Sequence, residues 1–231
     1  MTVAEQHVAF KVGFDKTDSS NYPGFEPEEI DLFINLAQDR LVKTRYGGNN
    51  LYRTSFEQSQ KRTDDLRTII KQTTLTPLSP TSLNKPGGQF FNLPNSVATN
   101  DVYWFSIQEE ANVIVTDCDG NTSTVKLPVK PITHDQYNKI IKDPFNKPDE
   151  TELVRLVSEG AIEVISPVAS LVSLVLRYVR KPQRIDVVNA VDCELPDHMH
   201  QEVVDVAVSL ALENVESVRT RSNEAELQKS E

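Results

Sequence analysis

Apolar residues recur at helical spacing in three parts of this chain and at strand spacing in the region between the second and the third. Ile30, Phe33, Ile34, Ala37 and Leu41 lie on one stripe of a 3.6-residue period. Pro27 suits the first turn, Glu28 and Glu29 favour the positive helix start, and Lys43 and Arg45 suit the last turn before Gly47-Gly48. The pattern predicts a helix over 28–46. A thinner stripe of Phe56, Leu66, Ile69 and Ile70 predicts a second helix over 55–71, with Thr54 and Glu57 at capping-box spacing. The third helix is the sharpest. It starts at Pro196 and runs to about residue 217, with Met199, Val203, Val206, Ala207, Leu210 and Ala211 on one face and His198, Glu202, Asp205 and Ser209 on the other.

Strand signals fill the interval. Val102–Ile107 and Asn112–Thr116 read as two strands, followed by a turn at Asp117–Asn121 and a returning strand to Val129. Further strands are expected at 153–157, 161–165 and 174–180, with Ser158-Glu159-Gly160 as a tight turn. Thr133 caps a short helix predicted to end near Lys142, and Asp143-Pro144-Phe145-Asn146-Lys147-Pro148 makes a rigid link. The stretches 75–80 and 84–88 read as loop or sheet edge.

The resulting fold class is α+β. A small helical bundle, formed by N-terminal helices and a C-terminal helix, carries a β-sandwich or barrel-like domain between them. The divisions are an N-terminal arm over 1–25, which shows no sustained period, a helical part over 26–73, a β-rich domain over 74–192, the closing helix over 193–218 and a polar tail over 219–231.

Composition narrows the class. With 231 residues there is enough chain for one large domain or two small ones. A formal net charge of -10 argues against a protein that clamps nucleic acid through counterion release, because that needs a basic surface. Met1–Phe10 carries Glu5 and His7 and reads as no signal peptide, and no apolar run approaches the ~18 residues of a membrane span. Two widely spaced cysteines, Cys118 and Cys193, suit a reduced setting better than a disulfide framework.

Candidate chemistry is sparse. Cys193, Asp197, His198 and His200 are the best metal candidates, but residues two apart on a helix point about 200° apart, so the two histidines cannot easily share one ion. Their structural reading is a helix cap and histidines at a subunit surface. Asp117, Asp119, Gly120 and Asn121 are part of a calcium-loop pattern, but Pro128 stands where its bidentate Glu belongs, which favours a hairpin turn. Cys118 as a nucleophile needs a base such as His134, and nothing in the sequence brings them together. Arg177, Arg180, Lys181 and Arg184 form the one basic cluster, read either as a DNA or acidic-partner contact or as charges on a solvated strand face.

Several segments resemble a known family. Glu28–Gln38 followed by Lys43-Thr44-Arg45-Tyr46 resembles the opening helix of neck proteins from crAss-like bacteriophages. Pro131–Tyr137 with Asp143-Pro144-Phe145, and Arg177–Ile185, are similar to recurrent segments of the same proteins. Leu195–Ala207 looks like the last helix of head-to-tail adaptors more widely, including tail tubular protein A of podoviruses. The resemblance covers residues 26 to 217. It implies a ring subunit of about twelve copies, closed by rotation, that joins portal to tail at the head–tail junction of the virion after assembly in the host cytoplasm. It implies the portal and other neck or tail proteins as partners, transient non-specific passage of DNA, no membrane, no cofactor and no enzyme activity. The expected contact residues are His198, Glu202 and Asp205 on the closing helix, with Arg177, Arg180, Lys181 and Arg184. The alternatives are a virion or surface β-domain that binds a glycan or other ligand, and a metal-dependent hydrolase using Asp117, Asp119, His134 or His198.

Overall fold

A computed structural model describes residues 1–15, 24–47, 56–79, 85–116, 120–166 and 170–214. The chain divides into two compact units, one made of residues 1–69 and 182–231 and the other of residues 70–181. The α+β class holds, with all the described α-helices but a single-turn one in the first unit and one curled mixed sheet in the second.

The first unit is a bundle of α1 (Val3–Asp15), α2 (Pro27–Tyr46), α3 (Gln60–Leu66) and, at its close, α5 (Asp197–Asn214). The arm expected over 1–25 is corrected here, because thirteen of its residues form α1. The helix buries Val3, Gln6, His7, Phe10 and Phe14, two of them polar, while Val8 and Val12 face outward. That mixing flattens the contrast between faces on which a periodicity argument depends. Phe10 and Phe14 join Phe25 and Phe33 in an aromatic cluster with ring centroids 4.9–6.4 Å apart. Where α1 passes α5, a Cβ on Gly13 would lie 3.1 Å from Val208, so the glycine allows close approach.

Helix α2 starts and stops as its sequence dictates. The Glu26 N–H donates to Glu29 Oε2 at 2.9 Å, and the Gly47 N–H closes the far end on the Lys43 carbonyl at 2.8 Å. The second predicted helix is shorter than 55–71. It is a 3₁₀ turn at Phe56–Gln58, α3, and another 3₁₀ turn at Arg67–Ile69, after which the chain is a strand. Ile70 lies opposite Val179 in the sheet, which claims it from the helix stripe. The predicted cap Thr54 and the glycine Gly48 lie outside the described residues. In α5 the buried face is wider than one stripe: Val204, Val208 and Leu212 join Met199, Val203, Ala207 and Ala211, and Ser209 is buried as well. Two flanking helices, α1 and α2, explain that width.

A polar row on α2 ties down the segment that returns to the bundle. Asn35 exchanges two hydrogen bonds with the Ile185 backbone, both at 2.9 Å. Asp31 Oδ2 accepts the Val187 N–H at 3.0 Å, and the Gln38 amide donates to the Gln183 carbonyl at 3.1 Å. Spaced i, i+4 and i+7, the three side chains act like a partner strand. This pairing places 182–192, expected in the β-rich domain, with the helical unit.

The second unit holds β1 (Ile70–Leu75), β2 (Gly88–Asn92), β3 (Asn95–Ser96), β4 (Asp101–Thr116), β5 (Thr122–Pro131), the single-turn α4 (Tyr137–Ile140), β6 (Leu153–Ser158), β7 (Ala161–Ile165) and β8 (Ser170–Arg180). The strand order is β1-β8-β4-β5-β6-β7-β2, with β3 beside β4. Neighbours are antiparallel except β5 and β6, whose parallel pairing needs the long crossover that contains α4. One face buries Phe91, Val113, Leu153, Ile162, Val164, Leu174 and Tyr178 among others. On the opposite face of β6 and β7, Val154, Leu156 and Ile165 pack beneath Ile132, Tyr137 and Ile140, so α4 covers that end of the sheet.

Three local readings change. The strands predicted at 102–107 and 112–116 are one strand, β4, carried past its polar middle by register shifts along β8. Glu109, which reads as a break, is buried in that middle, where it meets Arg155 and Ser106. Of the stretch expected at 84–88 as loop or edge, residues 85–87 lead into strand β2 at Gly88, where a Cβ would lie 2.9 Å from the Lys85 carbonyl and 2.5 Å from Glu163 Oε1. The helix capped by Thr133 is a turn leading into one helical turn.

If α1 belongs to the core, Phe10→Ala destabilises the folded chain by about 3–5 kcal/mol in chemical denaturation. A loose arm predicts a change near zero.

Candidate subunit-contact site

The polar face of α5 is built around a buried guanidinium. Arg45, in the last turn of α2, is only 2% exposed. Its Nε lies 3.1 Å from Asp65 Oδ2 on α3, and its Nη2 meets Glu202 Oε1 on α5. Asp65 is fully buried, and its second oxygen lies 2.8 Å from His198 Nε2. Two carboxylates thus face one guanidinium, and His198 and Glu202, one turn apart, straddle the junction. Asp205, one turn further on, is exposed and takes the Gln201 amide at 2.9 Å.

The three expected contact residues of the closing helix therefore share a face but differ in freedom. Asp205 is open, His198 is half exposed and anchored on one side, and Glu202 is largely committed to Arg45. The basic residues behave less like a cluster. Arg177 and Arg180, three apart on β8, leave opposite faces of the strand. Arg177 is exposed and donates to Gln72 Oε1 at 2.9 Å and Gln108 Oε1 at 2.7 Å, forming a polar ladder across three strands. Arg180, expected on a solvated face, is buried at 7%. Lys181 is half-buried, with its N–H bonded to the Val102 carbonyl, and Arg184 is exposed in the helical unit.

The metal candidates turn to separate partners. His200 is buried, with Nε2 2.7 Å from the Leu195 carbonyl and Nδ1 2.9 Å from the Met1 nitrogen, which corrects its expected place at a subunit surface. The Cys193 thiol reaches Gln38 Oε1 at 3.6 Å, and burial pushes its pKa up, away from thiolate character. Among the described residues no three His, Cys, Asp or Glu side chains are arranged to hold a metal ion. Asp117, Cys118 and Asp119 lie outside the described residues, and His134 bonds the Val157 carbonyl at 2.9 Å. Of the strand aromatics, Tyr103 packs on Tyr178 with centroids 5.8 Å apart, while Trp104 and Phe105 are half-buried beside each other.

Arg45 and Asp65 are the residues that sequence reasoning passes over. Arg45 reads as a dipole-compensating charge, and Asp65 as half of an acidic pair on a polar helix. The one available signal is the thin apolar stripe over 55–71, which leaves that segment in need of another tether.

Residues 1–224 match the family described as Phage tail ring protein 3/4, and the chain belongs to that family. It is a structural, ring-forming component of the bacteriophage virion. No curated protein matches the chain.

The junction makes a graded prediction. Asp65→Asn takes from a buried guanidinium the fully buried one of its two carboxylate partners and lowers unfolding free energy by about 3–5 kcal/mol. His198→Ala, at a half-exposed group, costs about 1 kcal/mol or less. Equal losses in urea denaturation would contradict this account of the junction.

Proposed function

We propose that the chain is a ring subunit of the phage neck, joining portal to tail and surrounding the conduit through which DNA leaves the head. The match over residues 1–224 to a family of tail ring proteins carries this reading. The ring closes by rotation from about twelve copies, through head-to-tail contacts between different faces of neighbouring subunits. The open part of the α5 polar face, His198 and Asp205, and separately the exposed Arg184, supply polar contacts to a neighbouring copy or to the portal.

Charge supports the conduit role. Passing DNA must slide without sticking, and a chain of net charge -10 offers weak counterion release. The role is mechanical, requiring neither catalysis nor a cofactor, and the partners are the portal and the adjoining neck or tail proteins.

The test is genetic. A phage carrying a stop codon early in this reading frame, grown without complementation, should accumulate heads without attached tails, seen by negative-stain electron microscopy. Tailed infectious particles at normal titre would overturn the proposal.

A further inference from the structure

We propose that Phe145 is a preformed anchor by which one copy of the chain holds the next, its ring seating in the apolar groove along α1 of the neighbouring copy. The inference rests on the ring reading above and names its contact. Phe145 is 93% exposed, the most exposed large apolar side chain among the described residues. A flexible loop could fold such a ring away, but this turn is braced. The Phe145 N–H donates to Asp143 Oδ1 at 3.0 Å, and the Asn146 amide donates to Asp143 Oδ2 at 2.6 Å. The Lys147 N–H reaches the Asp143 carbonyl at 3.0 Å, and the Asp143 N–H reaches the carbonyls of Lys139 and Ile140 at 3.1 Å. Prolines at 144 and 148 fix φ on either side. Those bonds hold the Asp143 carboxyl below its usual pKa, so it remains an acceptor through the neutral range. The brace is continuous with the end of α4, which packs on β6 and β7. A rigid, protruding aromatic loses little freedom when it docks, which is the property of an interface anchor.

The receptor is the outward side of α1. Ala4, Val8, Ala9 and Val12, with Glu5 at the rim, line a shallow apolar groove of about 410 Å³, large enough for a phenyl ring. Val8 and Val12 stand one turn apart and are exposed, whereas the opposite side of α1 is core. A second copy is the occupant because a ring is built from heterologous contacts, in which one patch meets a different patch on the next subunit. A knob and a groove on the same chain supply that pair, whereas a self-matching patch favours a two-fold dimer. One phenyl ring falls well short of the roughly 800 Å² per partner of a stable interface, so it sets the register of a larger contact.

The test places the photoreactive analogue p-benzoylphenylalanine at position 145 of the full chain, in virions assembled from a mixture of ¹⁴N- and ¹⁵N-labelled copies. Irradiation should link residue 145 to a peptide containing Ala4–Val12 of the other isotope, and Val8→Asp should cut that yield at least about tenfold by setting a carboxylate in the groove. Linkage elsewhere on a second copy overturns the groove assignment and leaves the ring reading intact. Linkage to a different protein, or none, overturns the copy-to-copy anchor. Electron micrographs of the same particles report separately whether a ring is present.

Discussion

A guanidinium shut away from water needs negative charge on more than one side, and that need organises the helical unit. Arg45 leaves the end of α2 with 2% exposure and meets Asp65 and Glu202. Burying such charges is expensive, so the geometry is tolerated only if all partners arrive together. The short α3 and the start of the long α5 are therefore fixed relative to the end of α2. The polar face that α5 turns outward is set by the same ions, because His198 leans on Asp65 and Glu202 on Arg45.

A second organising feature is the polar row on the same helix. Asp31, Asn35 and Gln38 accept and donate along 183–187, and Asp31 also takes His7 from α1 at 2.7 Å. Helix α2 thus has an apolar stripe for α1 and α5, a polar row for the returning chain and a terminal arginine for α3. One helix serving three partners explains why residues near both ends of the sequence make a single unit although the sheet-forming residues lie between them in the chain.

Much of this was readable in advance, and the reasons for the rest are physical. The bounds of α2 follow from local capping and from a clean stripe, so they could be read directly. Helix α5 shows its start in the sequence but not its full buried face, because a helix with two neighbours buries two stripes and Val204, Val208 and Leu212 look spare in a one-stripe reading. Helix α1 hides because it buries Gln6 and His7 and exposes Val8 and Val12. The middle of β4 hides because Glu109 is a core residue by virtue of Arg155, a partner some 45 residues distant, whose effect no local rule registers. The burial that pushes the Glu109 carboxyl above its usual pKa is the same fact seen from the proton's side. The polar face of α5 was legible as a face, through the i and i+4 spacing of His198 and Glu202. What the spacing could not show is that their inward partners occupy part of it.

We propose that the chain is one subunit of a closed ring at the head–tail junction. The most direct measurement is a cryo-electron microscopy map of the intact virion at a resolution that traces side chains. The account predicts a closed ring of copies of this chain between portal and tail, with helices α1, α2 and α5 recognisable in each. A fully traced junction containing no copy of the chain would contradict it.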